Sequence, residues 1–357
     1  MIPLFKVRMS DQAGIETTKV LESGFIGQGT KVEEFEDLLQ KELRTNTRPV
    51  TVDSCTSAID LALELIGVGP GDEVICTPQT CFASNIGPIH RHAKIRWADI
   101  DSITGLIDPQ SVKHLINEKT KAIICVNWAG KIADYKTLKS FGVPVVEDAA
   151  HTWDVFGTTK ERGNYTCYSF QAIKYLTTGD GGLIVCDNKE KEEEARLLRW
   201  FGLDRTKGQS FRCTQNITKA GFKYHMNDIA ATIGICNLPE ARDSVICQRF
   251  NTKMIIDSVY NDNLILPEWD DDCSYWLFSM HVKNGRKNEF IKFLEDNDIS
   301  PSPVHYRNDF YECTSEFREG DLPGTTQFDA TQVCIPNGWW LTTEELNHII
   351  EVLNQFE

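Results

Sequence analysis

From about residue 50 to residue 186 the chain alternates between two patterns. Short, mostly apolar runs lie at 49–52, 73–76, 95–98, 122–126, 143–146, 166–170 and 183–186. Between several of them, apolar residues recur every three or four positions, as in 58–66, where Ile59, Ala62, Leu63 and Ile66 share one face. The stretches 111–118, 135–141 and 190–200 show the same period. A mostly apolar run without alternation predicts a strand buried on both faces, and a helical period predicts an amphipathic helix. Their alternation predicts an α/β fold with a three-layer, mostly parallel central sheet and helices on both faces.

Either side of this core the pattern changes. Residues 1–50 read as an N-terminal arm followed by a helix in which Val32, Phe35, Leu38 and Leu39 recur at helical spacing. The glycines of Gly24-Phe25-Ile26-Gly27-Gln28-Gly29 suggest a nucleotide loop, but no strand precedes them, so the signal is weak. Residues 202–222 are polar and without period, a long connection of the kind that carries function. Helical patterns resume at 227–237, with Asn227 as N-cap, and at 242–260. Beyond residue 263 a strand at 274–282, a helix at 288–297, an extended stretch at 301–306 and a last helix from Thr343 read as a smaller α+β unit. Thr342 and Glu345 form a capping-box signature for that last helix. The expected division is a large α/β domain over 1–240, with the N-terminal arm, and a small C-terminal α+β domain over 241–357.

Composition narrows the function. The 357 residues carry a net charge of −15, with 41% hydrophobic and 25% charged residues. This is a globular composition with no basic patch, and a nucleic-acid ligand is not expected. No stretch approaches a membrane span or the apolar core of a signal peptide, which predicts a cytoplasmic protein. The twelve cysteines are scattered, with no Cys-x-x-Cys pair, so neither a metal site nor a disulfide framework is expected.

Three features carry chemistry. Lys174 lies in a polar turn between two apolar runs, where desolvation would free its amine as a nucleophile for Schiff-base formation; a loop lysine reaching to solvent is the plain alternative. Glu147-Asp148-Ala149-Ala150-His151 follows the strand at 143–146, at the edge where open α/β sheets bind ligands. A carboxylate there can hold a pyridinium nitrogen protonated. Thr56 and Ser57 stand at a strand-to-helix turn, which can cradle a phosphate or merely cap the helix. Ser169, five residues before Lys174, could add a phosphate hydrogen bond.

With these motifs the chain resembles the DegT/StrS sugar-nucleotide aminotransferases, a family of fold type I pyridoxal phosphate enzymes. The likeness runs from Ile2-Pro3-Leu4 through Ser23–Gly29, Gly71–Ile75, Glu147–His151, Ser169–Lys174 and Gly179–Gly182 to His305-Tyr306. It implies a pyridoxal 5'-phosphate cofactor joined to Lys174 as an aldimine, with Lys174 then moving a proton. Asp148 would pair with the ring nitrogen and His151 lie beside the phenolic oxygen. Thr56, Ser57 and Ser169 would hold the phosphate. The resemblance also implies amino transfer from glutamate to a nucleotide-linked keto-deoxysugar by a ping-pong route. It implies a homodimer with shared sites, in which the segment Gly221–Asp228 serves the partner's pocket through Lys223 and His225. His305 and Tyr306 would face substrate.

The sequence departs from the family pattern in places. Cys55-Thr56 stands where Gly-Thr is frequent, and Lys223 and His225 stand where Asn and Arg are common. The ring over the cofactor could be Phe82, one residue after Cys81, or Trp128. A dehydratase or lyase on the same cofactor is the alternative, but that branch replaces the lysine by histidine.

Overall fold

A computed structural model describes residues 1–153, 161–208 and 210–357; Gln209, in the polar connection, lies outside them. The central sheet has seven strands: β1 Val50–Val52, β2 Glu73–Cys76, β3 Lys94–Trp97, β4 Thr120–Val126, β5 Val145–Asp148, β6 Tyr165–Ser169 and β7 Gly182–Cys186. Their order is β1-β7-β6-β5-β4-β2-β3. Strands β3, β2, β4, β5 and β6 run parallel, while β7 is antiparallel to both β6 and β1. This is the mostly parallel α/β sheet that the apolar runs predict.

The strands are mostly apolar and mostly buried because both faces are covered. Ala122 and Ile124 of β4 pack with the helix Cys55–Ile66, while Ile123 and Cys125 pack with Val112, Tyr135 and Leu138 of the helices on the other side. Since β2, β4, β5 and β6 are parallel, their C-terminal ends share one edge, and Asp148 and Ser169 close their strands there.

Three further strands, β8 Leu264–Ile265, β9 Phe278–Val282 and β10 Gln332–Ile335, form an antiparallel sheet with β9 in the middle. They surround a separate core with Phe290, Leu294, Ile349 and Leu353. The capping box at Thr342 and Glu345 is formed.

Two expectations are corrected. The helices expected at 227–237 and 242–260 are one helix, Asp228–Ser258, with Pro239 inside it. Proline removes one backbone donor, but Asn237 and Ala241 on either side are buried, and their packing carries the helix across the break. The residue 240 boundary falls within this helix. Gly24–Gly29 forms no nucleotide loop: Gly29 caps the helix Thr30–Leu43, and Asp228 accepts from the N–H groups of Gly29, Lys31 and Val32 at 2.7, 3.3 and 3.2 Å. A side chain at position 29 would meet that carboxylate at 2.7 Å. Asn227 caps the long helix by accepting from Ala230 N–H. No helix among the described residues is long and apolar enough to cross a membrane.

Candidate active site

The turn that bears Lys174 is closed by its own backbone. Lys174 N–H donates to Gln171 O at 2.9 Å, Thr178 N–H to Phe170 O at 3.0 Å, and Phe170 N–H to Gly181 O at 2.8 Å. Phe170 is fully buried, and the Tyr175 hydroxyl donates to Ser274 O at 2.6 Å, which anchors both ends of the turn. The lysine between them is held inward: its Nζ lies 3.6 Å from the centroid of the Trp276 ring. Burial pulls its pKa down to about 8, against the opposing charge of Asp148. Snorkelling to solvent, the plain alternative, is not what the side chain does.

Asp148 lies at the end of β5, 4% exposed. It accepts from the Ser84 hydroxyl at 2.6 Å and from Ala150 N–H at 3.0 Å, and the Cys55 thiol lies 3.9 Å away. Burial pushes its carboxyl up from the usual range, and these donors and Lys174 oppose the shift. Its neighbour Glu147 faces the other side of the sheet, where Arg162, Gly163 N–H, Thr166 and Asn127 satisfy it. Of the two carboxylates, only Asp148 faces the lysine side.

His151 is buried, stacks on Trp276 at 4.1 Å between centroids, and has no partner for Nδ1. His305 lies 6.3 Å from it, with Nε2 also unpartnered. Burial and the nearby Lys174 hold His151 well below its ordinary range and bring His305 down to about 4. Both imidazoles are therefore neutral at physiological pH. Tyr306 is exposed and packs against Phe310 and Tyr311. Tyr306 and His305 border a cleft of about 500 Å³ that also includes Phe5, Trp276 and Lys287.

Thr56 and Ser57 occupy the first turn of the helix Cys55–Ile66, whose N-cap, Ser54, accepts from Ser57 N–H at 3.1 Å. The N–H groups of a first helical turn have no acceptor within the helix and suit an anion. Gly182 of β7 lies so close that a Cβ there would come within 2.4 Å of Ser54 C and 2.5 Å of Cys55 N. The side chain at Cys55 needs no unusual backbone, because it is the first residue of a regular helix. Ser169 Oγ accepts from Gln171 N–H at 3.3 Å.

Phe82 is partly exposed and packs on Tyr311 at 5.0 Å, whereas Trp128 is fully buried, edge-on to His151, His305 and Phe328. Trp128 thus has no open face to offer a ligand.

Lys223 and His225 belong to a different place. They pair with Trp200 and Val52 through isolated bridges, and His225 packs on Trp200 at 3.6 Å. Burial, with Arg205, Arg199 and Lys223 nearby, brings His225 to about 4. Arg205 lies over the Trp200 ring and donates to Gln28 O at 2.6 Å. Of the other cations in the polar connection, Lys219 pairs with Glu64 and Glu194, and Lys207 approaches Asp204.

Two residues escape the sequence reading. Ser84 sits two positions after Phe82 and carries no motif signal. Trp276 lies in the stretch 274–282, which reads as strand core, yet its ring is the surface on which Lys174 and His151 rest.

Comparison with known proteins gives a consistent result. Residues 9–354 match the DegT/DnrJ/EryC1/StrS aminotransferase family. The spore coat polysaccharide biosynthesis protein SpsC of Bacillus subtilis is 30% identical over 367 residues, covering 95% of this chain and 92% of that protein. The crystal structure of the sugar aminotransferase CalS13 from Micromonospora echinospora superposes with a TM-score of 0.93 at 30% identity, covering 100% of both chains. That of AtS13 from Actinomadura melliaura gives 0.92 at 33% identity, covering 100% of this chain and 99% of that one. The chain belongs to this family.

Proposed function

We propose that this member of the DegT/DnrJ/EryC1/StrS aminotransferase family binds pyridoxal 5'-phosphate and transfers an amino group from glutamate to a nucleotide-linked keto-deoxysugar. The observation that carries the reading is the desolvated amine of Lys174, brought to about pH 8 and set on the same sheet edge as the buried Asp148. The residues present fit the cofactor. The unpartnered Nδ1 of buried His151 suits its phenolic oxygen, and the helix turn at Thr56 and Ser57, with Ser169, suits its phosphate. When bound, the cofactor supplies an electron sink for the carbon that loses or gains a proton.

The chain's own groups do the rest. Lys174 would hold the cofactor through its amine and, when free of it, would take and return the proton at the reacting carbon. Buried Asp148 would pair with the ring nitrogen of the cofactor and favour its protonated form. Phe82 would cover the ring, and His305, as a neutral imidazole, and Tyr306 would meet substrate. Lys223 and His225, which pack at Trp200 rather than at Trp276, serve the pocket of a second copy, so that a homodimer is the working unit. The sugar-related relatives CalS13 and SpsC support the substrate class. One site serves both half-reactions, which predicts ping-pong kinetics.

The test is optical. Glutamate added to the cofactor-loaded protein bleaches its visible absorbance band, and the matching nucleotide keto-sugar from a panel restores it. A band that glutamate leaves unchanged rules out the donor, and loss of water from the sugar without amine transfer favours the dehydratase.

A further inference from the structure

The surroundings of Asp148 are more specific than a carboxylate at a strand end requires. A carboxylate oxygen accepts about two hydrogen bonds. Oδ1 accepts from Ala150 N–H at 3.0 Å, and the Cys55 sulfur, whose one proton has Cys167 O nearer at 3.6 Å, stands against it at 3.9 Å. Oδ2 faces a single donor, the Ser84 hydroxyl, at 2.6 Å. The sulfur shields Oδ1, which leaves the oxygen that Ser84 holds as the acceptor open to a ligand.

Ser84 is itself held. Thr80 Oγ1 lies 3.0 Å from Ser84 Oγ. Because Ser84 gives its one proton to the carboxylate, Thr80 must be the donor of that second bond. Thr80 and Ser84 are each 1% exposed, so water does not compete for either hydroxyl. The two form a one-way chain of donors from the segment after β2 to the end of β5, and bonds in such a chain strengthen one another away from solvent. On the opposite side, Cys55 is fixed by its helix and by the contact of its backbone with Gly182. Burial drives its thiol well above the ordinary range, so it stays a donor.

We propose that Ser84, backed by Thr80, is a positioning residue for Asp148: it fixes the rotation of the carboxylate so that Oδ2 presents its free acceptor position to the ring nitrogen of the cofactor. The Cys55 sulfur bounds the carboxylate on the Oδ1 side. This rests on the pyridoxal phosphate reading above.

The experiment titrates the protein, freed of cofactor, with pyridoxal 5'-phosphate and follows the visible band, then records that band against pH in the loaded protein. Losing a hydrogen bond to a buried charge weakens affinity in Ser84→Ala about tenfold or more. The same variant shifts the pH midpoint of the band, which a purely structural loss would leave in place. Ser84→Thr keeps the hydroxyl and restores both, and Thr80→Val moves both in the direction of Ser84→Ala by less. Ser84→Ala binding and titrating like the native protein, while Asp148→Asn does not, overturns the proposal. If the native protein develops no band with pyridoxal 5'-phosphate, the cofactor reading fails and this proposal with it; a normal native band with unaltered Ser84 variants sinks this proposal alone.

Discussion

Two clusters of buried charge sit on the same sheet, and they are built on opposite plans. Beneath β1, Glu36 is 1% exposed and meets Arg199 at 2.5 Å and Arg196 at 2.6 Å, with Thr51 N–H and hydroxyl completing its bonds at 3.0 and 2.9 Å. Burial would push this carboxyl up, but the two arginines hold it down at about 2. At the other cluster, Lys174 rests on an aromatic face and Asp148 accepts from uncharged donors at hydrogen-bonding distance. Each group there keeps a capacity that its own chain does not use. A buried charge that is fully matched joins elements; here Glu36 ties the helix Thr30–Leu43 to β1 and to the helix Lys189–Leu198. A buried charge left partly unmatched is costly to the fold and available to a ligand.

The contrast can be tested from its largest effect downward. Lys174→Ala should cost amino transfer about 10²–10⁴-fold, the range for loss of a positioned acid–base group, while leaving the urea midpoint unchanged or raised. A lowered midpoint would place Lys174 with the scaffold. Glu36→Ala should do the reverse, destabilising the protein by about 3–5 kcal/mol in urea denaturation, because buried Arg199 loses its counter-charge and half-buried Arg196 keeps only Glu192. A loss below about 1 kcal/mol would put the pair in the class of surface ion pairs.

The two clusters also have opposite pH signatures in the protein without cofactor. Glu36 titrates near 2 when folded and near 4.5 when unfolded, so its contribution is complete above 4.5 and fades as pH falls towards 2. Lys174 titrates near 8 when folded and near 10.5 when unfolded, so the unfolded chain binds more protons between these values. Stability relative to Lys174→Met should therefore rise from pH 8 to 10.5, and a flat difference curve would remove the desolvated amine. The smallest effect belongs to Lys219, 44% exposed and paired with Glu64 and Glu194. Lys219→Met should cost about 0.2–1 kcal/mol and leave turnover alone; a large drop in turnover would return this lysine to the site.

What the sequence made legible follows from how local each signal is. Burial on both faces writes itself into a strand as a mostly apolar run without alternation, so the seven central strands were readable one by one. Lys174 and Asp148 were readable because each is a polar residue at the end of such a run. The partners that set their behaviour were not. Ser84 reaches Asp148 across 64 positions, and Trp276 meets Lys174 from a stretch whose own pattern is that of a core strand. Glu36 read as one more polar position on an amphipathic helix, since Arg196 and Arg199 come from 160 and 163 positions away. The break expected between 237 and 242 is absent for the same reason: Pro239 lies there, and the burial of Asn237 and Ala241 on either side carries the helix through it.

The clasp that Asp228 places on the helix Thr30–Leu43 bears on how variants of its neighbourhood should be interpreted. One carboxylate takes three backbone N–H groups, and it follows directly on the stretch that holds Lys223 and His225. An alanine scan run through 221–228 would cross from the side chains packed at Trp200 into a mechanical joint at its last position. Loss of activity in Asp228→Ala would thus report the N-terminal helix swinging free, and Asp228→Asn, which keeps acceptor oxygen and shape, is the substitution that separates leverage from recognition.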